Sequence, residues 1–150
     1  MSVKPLWTCP DCGERFVSPR VWHSCGRHTY DALFAKSEPH VRAIFDTLAA
    51  LAARCGPVRV YPQKTRAIFQ ARIRFAGGTP RKRVLIAHFL LPPETSSPRF
   101  FDELDGVSAH YKVCYVTLSS VREVDAEIGR WMKRAYRIGT QEHLRERRRT

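Results

Sequence analysis

Residues 1 to about 30 hold Cys9, Cys12 and Cys25 together with His23, Trp7, Trp22 and several Pro and Gly, and hardly any periodic apolar residues. A segment of this size and composition cannot bury enough surface to fold alone, so a cross-link or a metal ion has to close it. Cys9-Pro10-Asp11-Cys12-Gly13 places two thiols where a tight turn aims both at one ion, and Gly13 can adopt a positive φ just past the second. Ten residues later Trp22-His23-Ser24-Cys25-Gly26 supplies an imidazole and a third thiol two positions apart, which extended backbone directs to the same side.

Three thiolates and one imidazole suit tetrahedral Zn2+, and four protein donors leave no position open for water. The expectation is a structural zinc held by Cys9, Cys12, His23 and Cys25, with His28, three residues beyond Cys25, as the alternative to His23. Trp7, Phe16 and Trp22 are expected to pack as the small core of this knuckle. The competing reading is a redox CxxC beside an unrelated histidine. That motif belongs at a helix start beside a strand, whereas only a short tail precedes Cys9 here. Five cysteines, an odd number, also do not make the even framework of a disulfide-stapled secreted domain.

Beyond the knuckle the apolar pattern becomes periodic. Ser37 as N-cap, Pro39 in the first turn and Val41, Ile44, Phe45, Leu48, Leu51 and Ala52 at helical spacing predict a helix that Gly56 and Pro57 stop. Residues 58–61 form a short strand candidate. Residues 66–75 alternate as a half-buried strand interrupted near Gln70, with Arg66, Ile68, Gln70, Arg72 and Arg74 on one side. Gly77, Gly78 and Pro80 predict a turn, residues 84–91 a central strand covered on both faces, residues 92–106 a loop and residues 111–118 another strand. Ser120 and Glu123 match a capping box ahead of a last helix, whose stripe of Val124, Ile128, Trp131, Met132, Ala135 and Ile138 ends at Gly139.

The expected fold is therefore α+β: a small N-terminal zinc knuckle (1–30), then a domain (31–139) of one helix, a three- to four-stranded mainly antiparallel sheet and a C-terminal helix, then a basic tail (140–150). The motifs Cys9-Pro-Asp-Cys12-Gly with Trp22-His-Ser-Cys25-Gly, Gly56-Pro57 followed by Pro62-Gln-Lys-Thr and Ile68-Phe69, and Val124-Asp125-Ala-Glu127 with Trp131 and Ala135-Tyr136 resemble a bacterial family known only as a domain of unknown function. The resemblance runs from about residue 33 to residue 139, with the knuckle as an extension found in some members. It implies a fold and carries over no catalytic residue.

The chain has 26 Lys plus Arg against 14 Asp plus Glu, a formal net charge of +12. Residues 47–93 contain no acid, yet hold Arg54, Arg59, Lys64, Arg66, Arg72, Arg74, Arg81, Lys82 and Arg83. Lys64, Arg66, Arg72, Arg74, Arg81, Lys82 and Arg83 are the candidate contacts to a phosphate backbone, since each neutralised phosphate releases counterions. An acidic protein partner fits the same charges, and so does a solvated face balanced by Asp102, Glu103 and Asp105. Phe69 and Phe75 fall on the opposite parity, so a stacking platform for single strands is not indicated.

Signals for an enzyme are sparse. Acid-free strands argue against a metal-dependent nuclease, and neither a glycine-rich phosphate loop, nor GxSxG, nor HExxH is present. His88 in an apolar strand and Cys114 read as core residues. The alternative to a binding module is a small enzyme with a pocket around Lys64, His88 and His110. No apolar run reaches the roughly 20 residues of a membrane span or resembles a signal peptide, so the expected location is the cytoplasm, with no membrane partner.

Overall fold

The computed structural model describes residues 5–23, 25–142 and 144. Of the basic tail expected over 140–150, residues 143 and 145–150 lie outside the described residues. The N-terminal segment forms a two-stranded hairpin, β1 (Trp7–Thr8) and β2 (Arg15–Phe16). A single turn, α1 (Tyr30–Leu33), leads into the long helix α2 (Pro39–Cys55). Six strands follow: β3 (Arg59–Pro62), β4 (Ala67–Gln70), β5 (Arg74–Pro80), β6 (Leu85–Leu91), β7 (Phe100–Leu104) and β8 (Lys112–Leu118). Helix α3 (Ala126–Gly139) closes the domain.

The strands make one antiparallel sheet in the order β3-β4-β5-β6-β8-β7, so the fold is α+β. Alternation decides which face is apolar: Leu85, Ala87, Phe89 and Leu91 of β6, paired with Leu118, Val116, Cys114 and Lys112 of β8, point to the helices. Against them α2 presents Val41, Ile44, Phe45, Leu48 and Ala52, and α3 presents Ile128, Trp131, Met132, Ala135 and Ile138. Each fully buried Val, Leu, Ile, Phe or Met among them contributes about 1.5–3 kcal/mol, which is why a helical stripe and a strand parity are legible in the sequence at all.

The two helices run parallel over this face. The N-terminal end of α2 is tied to the β5–β6 turn through Glu38 N–H to the Lys82 carbonyl (2.8 Å). Near the other end Tyr136 of α3 donates its hydroxyl to the Pro57 carbonyl (2.9 Å). The register places the turns at residues 63–66 and 81–84 and both helix starts at one end of the sheet. The bend at residues 71–73, the loop 105–111 and both helix C-termini lie at the other.

The sheet has six strands where three or four were expected, and several boundaries differ. The 66–75 run splits because Arg72 and Ile73 turn their amides to the Gly139 carbonyl at the end of α3 (2.9 and 3.0 Å), leaving β4 and β5 as separate strands. β5 also carries one extra residue, Gln70 opposing Arg74 and Phe69 opposing Ala76, so Phe75 joins the helix side. Gly77 and Gly78 lie inside β5 and not in a turn: a Cβ on Gly77 would meet the Ala67 carbonyl oxygen and stand 2.7 Å from His88 Cε1. Finally the proline-rich 92–106 stretch contains the edge strand β7, held by β8 and by Phe100 packing at a tilt against Trp131 (4.8 Å).

Helix starts also differ from expectation. Ser37 gives its hydroxyl to the Arg81 carbonyl (2.7 Å), so Glu38 is the N-cap of α2. The Ser120/Glu123 capping box is present but heads a 3-10 turn (Val121–Glu123), and Asp125 caps α3 through Ile128 N–H (3.2 Å).

Candidate metal centre

The turn of the β1–β2 hairpin holds Cys9 and Cys12 close together. Cys9 N–H donates to the Glu14 carbonyl (2.8 Å) and Gly13 N–H to the Cys9 carbonyl (2.9 Å), a tight loop that Gly13 closes at φ 77°. One ligand atom each from Cys9, Cys12, His23 and Cys25 falls within 4.8 Å of all the others, so the group could hold a metal ion. Cys9 Sγ lies 3.8 Å from Cys25 Sγ, and His23 Nε2 lies 3.0 Å from Cys25 Sγ. His23 Nδ1 donates to the Val21 carbonyl (3.2 Å), which leaves Nε2 as the free donor atom facing the thiols. His28 lines the small cavity beside the cluster and is not one of its four members.

The thiols are not equivalent. The Cys12 backbone amide hydrogen-bonds Cys9 and draws it down to about 7, against the opposing effect of burial. Burial and the facing thiols of Cys9 and Cys12 push Cys25 up to about 11. A cation entering the cluster replaces the protons such thiols would otherwise keep, and binding is accordingly pH-dependent.

Phe16 is buried beneath the cluster with its ring 4.4 Å from that of His23, and Trp7 packs on it at 6.5 Å. Trp22 does not join them; it is 70% exposed. What replaces it is the sheet itself. The helix-free face of β3, β4 and β5 receives the hairpin through a chain of polar contacts that no sequence period announces. Gln70, buried, donates to the Arg15 carbonyl and accepts from Tyr61 Oη (2.6 Å). Arg74 donates to Tyr61 Oη (2.9 Å) and to the Trp22 carbonyl (2.7 Å), with its guanidinium 5.7 Å from the Phe16 ring. Arg59 grips Glu14 with two hydrogen bonds (2.5 and 2.6 Å). The segment is docked, and its acid neutralises one cation of the locally acid-free stretch.

The seven candidate phosphate contacts therefore separate. Lys64 and Arg66 sit on the β3–β4 turn, and Arg81, Lys82 and Arg83 on the β5–β6 turn, all exposed and at one end of the sheet. Arg72 and Arg74 lie at the opposite end, where Arg72 donates to Gln141 Oε1 (2.9 Å) and Arg74 docks the hairpin. The acids expected to balance them do not: Glu103 pairs with Lys112, on the far edge of the sheet from β3.

Nor are Lys64, His88 and His110 gathered. Lys64 and His110 belong to opposite ends of the sheet, and His88 is mid-strand, its ring 6.1 Å from that of Tyr115. Burial, with the Arg66 charge nearby, lowers His88 to about 4. Cys114 is buried in the core, and that burial raises its thiol to about 11. Among the described residues no helix is long and apolar enough to cross a membrane.

No curated protein and no solved structure matches the chain. A family model described as Domain of unknown function (DUF5655) matches residues 30–139, a span that begins after the four-residue cluster and takes in both long helices and the whole six-stranded sheet. The chain belongs to the DUF5655 family, and carries a cysteine–histidine cluster ahead of that family's domain.

Proposed function

We propose that this protein is a zinc-stabilised binding module that engages nucleic acid as an accessory factor in the cytoplasm. The zinc is structural: three soft thiolates and one imidazole complete a tetrahedron and leave no site for a reacting water. Its role is to fold the hairpin that covers one face of the sheet. All five cysteines are free, as a reducing compartment would keep them.

The observation that carries the nucleic-acid reading is the display of Lys64, Arg66, Arg81, Lys82 and Arg83 on two turns at one end of the sheet. Among the described residues only Glu38 forms an ion pair with any of them, 3.8 Å from Arg83. Phosphate contacts need such exposed, uncompensated cations and no particular base-reading element. The test is a salt titration of binding to duplex DNA or structured RNA. Replacing Arg81, Lys82 and Arg83 together by Gln reduces the log-log slope by about 0.9 for each phosphate that is no longer neutralised. A protein that binds neither polymer at about 50 mM salt overturns the reading and leaves an acidic protein as the partner for this charge.

A further inference from the structure

The outward side of α3 is as regular as its buried side. Turning Ile128, Trp131, Met132, Ala135 and Ile138 inward leaves Arg130, Lys133, Arg134 and Arg137 exposed on the other side. From Arg130 to Arg137 the helix rises about 10 Å, the axial length over which one strand of a duplex presents about three phosphates. Because α2 runs parallel to α3, Arg54 joins Lys133 and Arg137 in lining an open cleft of about 470 Å³ between the two C-terminal ends. Tyr136, also in the cleft, is held by its hydrogen bond to Pro57 and by its edge contact with Phe75 (5.5 Å).

These cations are poorly compensated. Among the described residues neither Arg54 nor Lys133 has a carboxylate within ion-pair distance, and Arg137 meets Glu142 only at 3.9 Å. The acids at the start of α3, Asp125 and Glu127, are engaged by Arg99 (3.0 and 3.1 Å). A basic residue in the last turn of a helix also answers the partial negative charge of the carbonyl end. That accounts for Arg54 and Arg137. It does not account for Lys133, Arg134 and Arg130, which lie farther back along the helix.

We infer that the α2–α3 cleft and the basic side of α3 form a second phosphodiester-binding surface, separate from the β3–β4 and β5–β6 turns. The inference rests on the proposal that the protein binds nucleic acid, and places a contact on the helical layer, where only Arg54 belongs to the acid-free stretch. The cations line one continuous row, so the surface reads backbone spacing and not base sequence.

The experiment uses the full, metal-loaded chain and a labelled duplex of about 20 base pairs, titrated across salt concentrations. The helix variant combines Arg54→Gln, Lys133→Gln and Arg137→Gln; the turn variant combines Arg81→Gln, Lys82→Gln and Arg83→Gln. Circular dichroism checks that each keeps its fold. The helix variant is expected to bind at least about tenfold more weakly at low salt, with a log-log slope smaller by about two to three. Unchanged affinity and slope in the helix variant overturn the inference, whatever the turn variant does. A loss confined to the helix variant upholds the inference and overturns the assignment of binding to the turns. Competition by a mononucleotide at equal phosphate concentration, as effective as competition by unlabelled duplex, also overturns it, because the occupant would then be a small phosphorylated molecule.

Discussion

Replacing Arg74 by Met tests whether the hairpin that carries the cysteine–histidine cluster is an independent bead or part of the domain. Met keeps much of the apolar length of Arg and removes its donors. The substitution deletes the donations to Tyr61 Oη (2.9 Å) and the Trp22 carbonyl (2.7 Å) and the cation over Phe16. The bond to Tyr61 joins β5 to β3 within the sheet, so its loss is not a loss of docking. The Trp22 bond is solvent-exposed and adds little, and the cation–π contact adds about 0.5–1 kcal/mol. The N-terminal segment thus loses about 1 kcal/mol of docking free energy.

A segment that folds only with its metal would report that loss as weaker metal binding, about fivefold at 1.4 kcal/mol per tenfold. Competition of the full chain with a chromogenic zinc chelator measures it, while circular dichroism checks that the sheet persists. Arg81→Met, which removes an equally basic but exposed residue, leaves zinc affinity unaltered. Zinc affinity equal to that of wild type in Arg74→Met, with the fold intact, refutes the coupling argument.

Elemental analysis should find near one zinc per chain, lost in Cys9→Ser or Cys12→Ser, and full retention in His23→Ala would remove His23 from the ligand set. Chelation should speed hydrogen exchange in β3 and β4 as well as in the hairpin, because Arg59 and Gln70 lose Glu14 and the Arg15 carbonyl; exchange changes confined to residues before Tyr30 would contradict this. Gly77→Ala should cost about 2–3 kcal/mol, a fall in Tm of roughly 5–10 °C by calorimetry, since its Cβ has no room between Ala67 and His88; an unchanged Tm refutes the close approach. Burial holds His88 at about 4 in the fold against 6.5 in the unfolded chain, so the unfolded state takes the proton first as pH falls. Stability should therefore decline from about pH 6.5 to pH 4 by about 3 kcal/mol, and His88→Leu should flatten that decline relative to wild type in denaturant titrations; parallel profiles refute it.

The buried stripes of α2 and α3, the central strand β6 and the grouping of Cys9, Cys12, His23 and Cys25 were legible because each follows from a short-range rule. Helical spacing, strand alternation and ligand spacing are properties of neighbouring residues, and burial or chelation rewards the same pattern wherever the element sits. Gly56 and Gly139 ended the helices where local punctuation said they would.

What the tertiary structure decided are the features whose partner is far away in the chain. Gly139 draws the amides of Arg72 and Ile73 and so cuts one expected strand into two. Trp131 and β8 turn a proline-rich loop into an edge strand. Arg72 and Arg74 read as phosphate contacts until Gln141, Tyr61 and the Trp22 carbonyl claim their guanidinium groups. Arg130, Lys133, Arg134 and Arg137 stay unremarked in a sequence rich in cations until Arg54 is brought alongside by a parallel helix. A charge has the same formal value everywhere in a sequence; whether it docks a segment, answers a helix end or waits for a phosphate depends on what the fold places within about 4 Å of it.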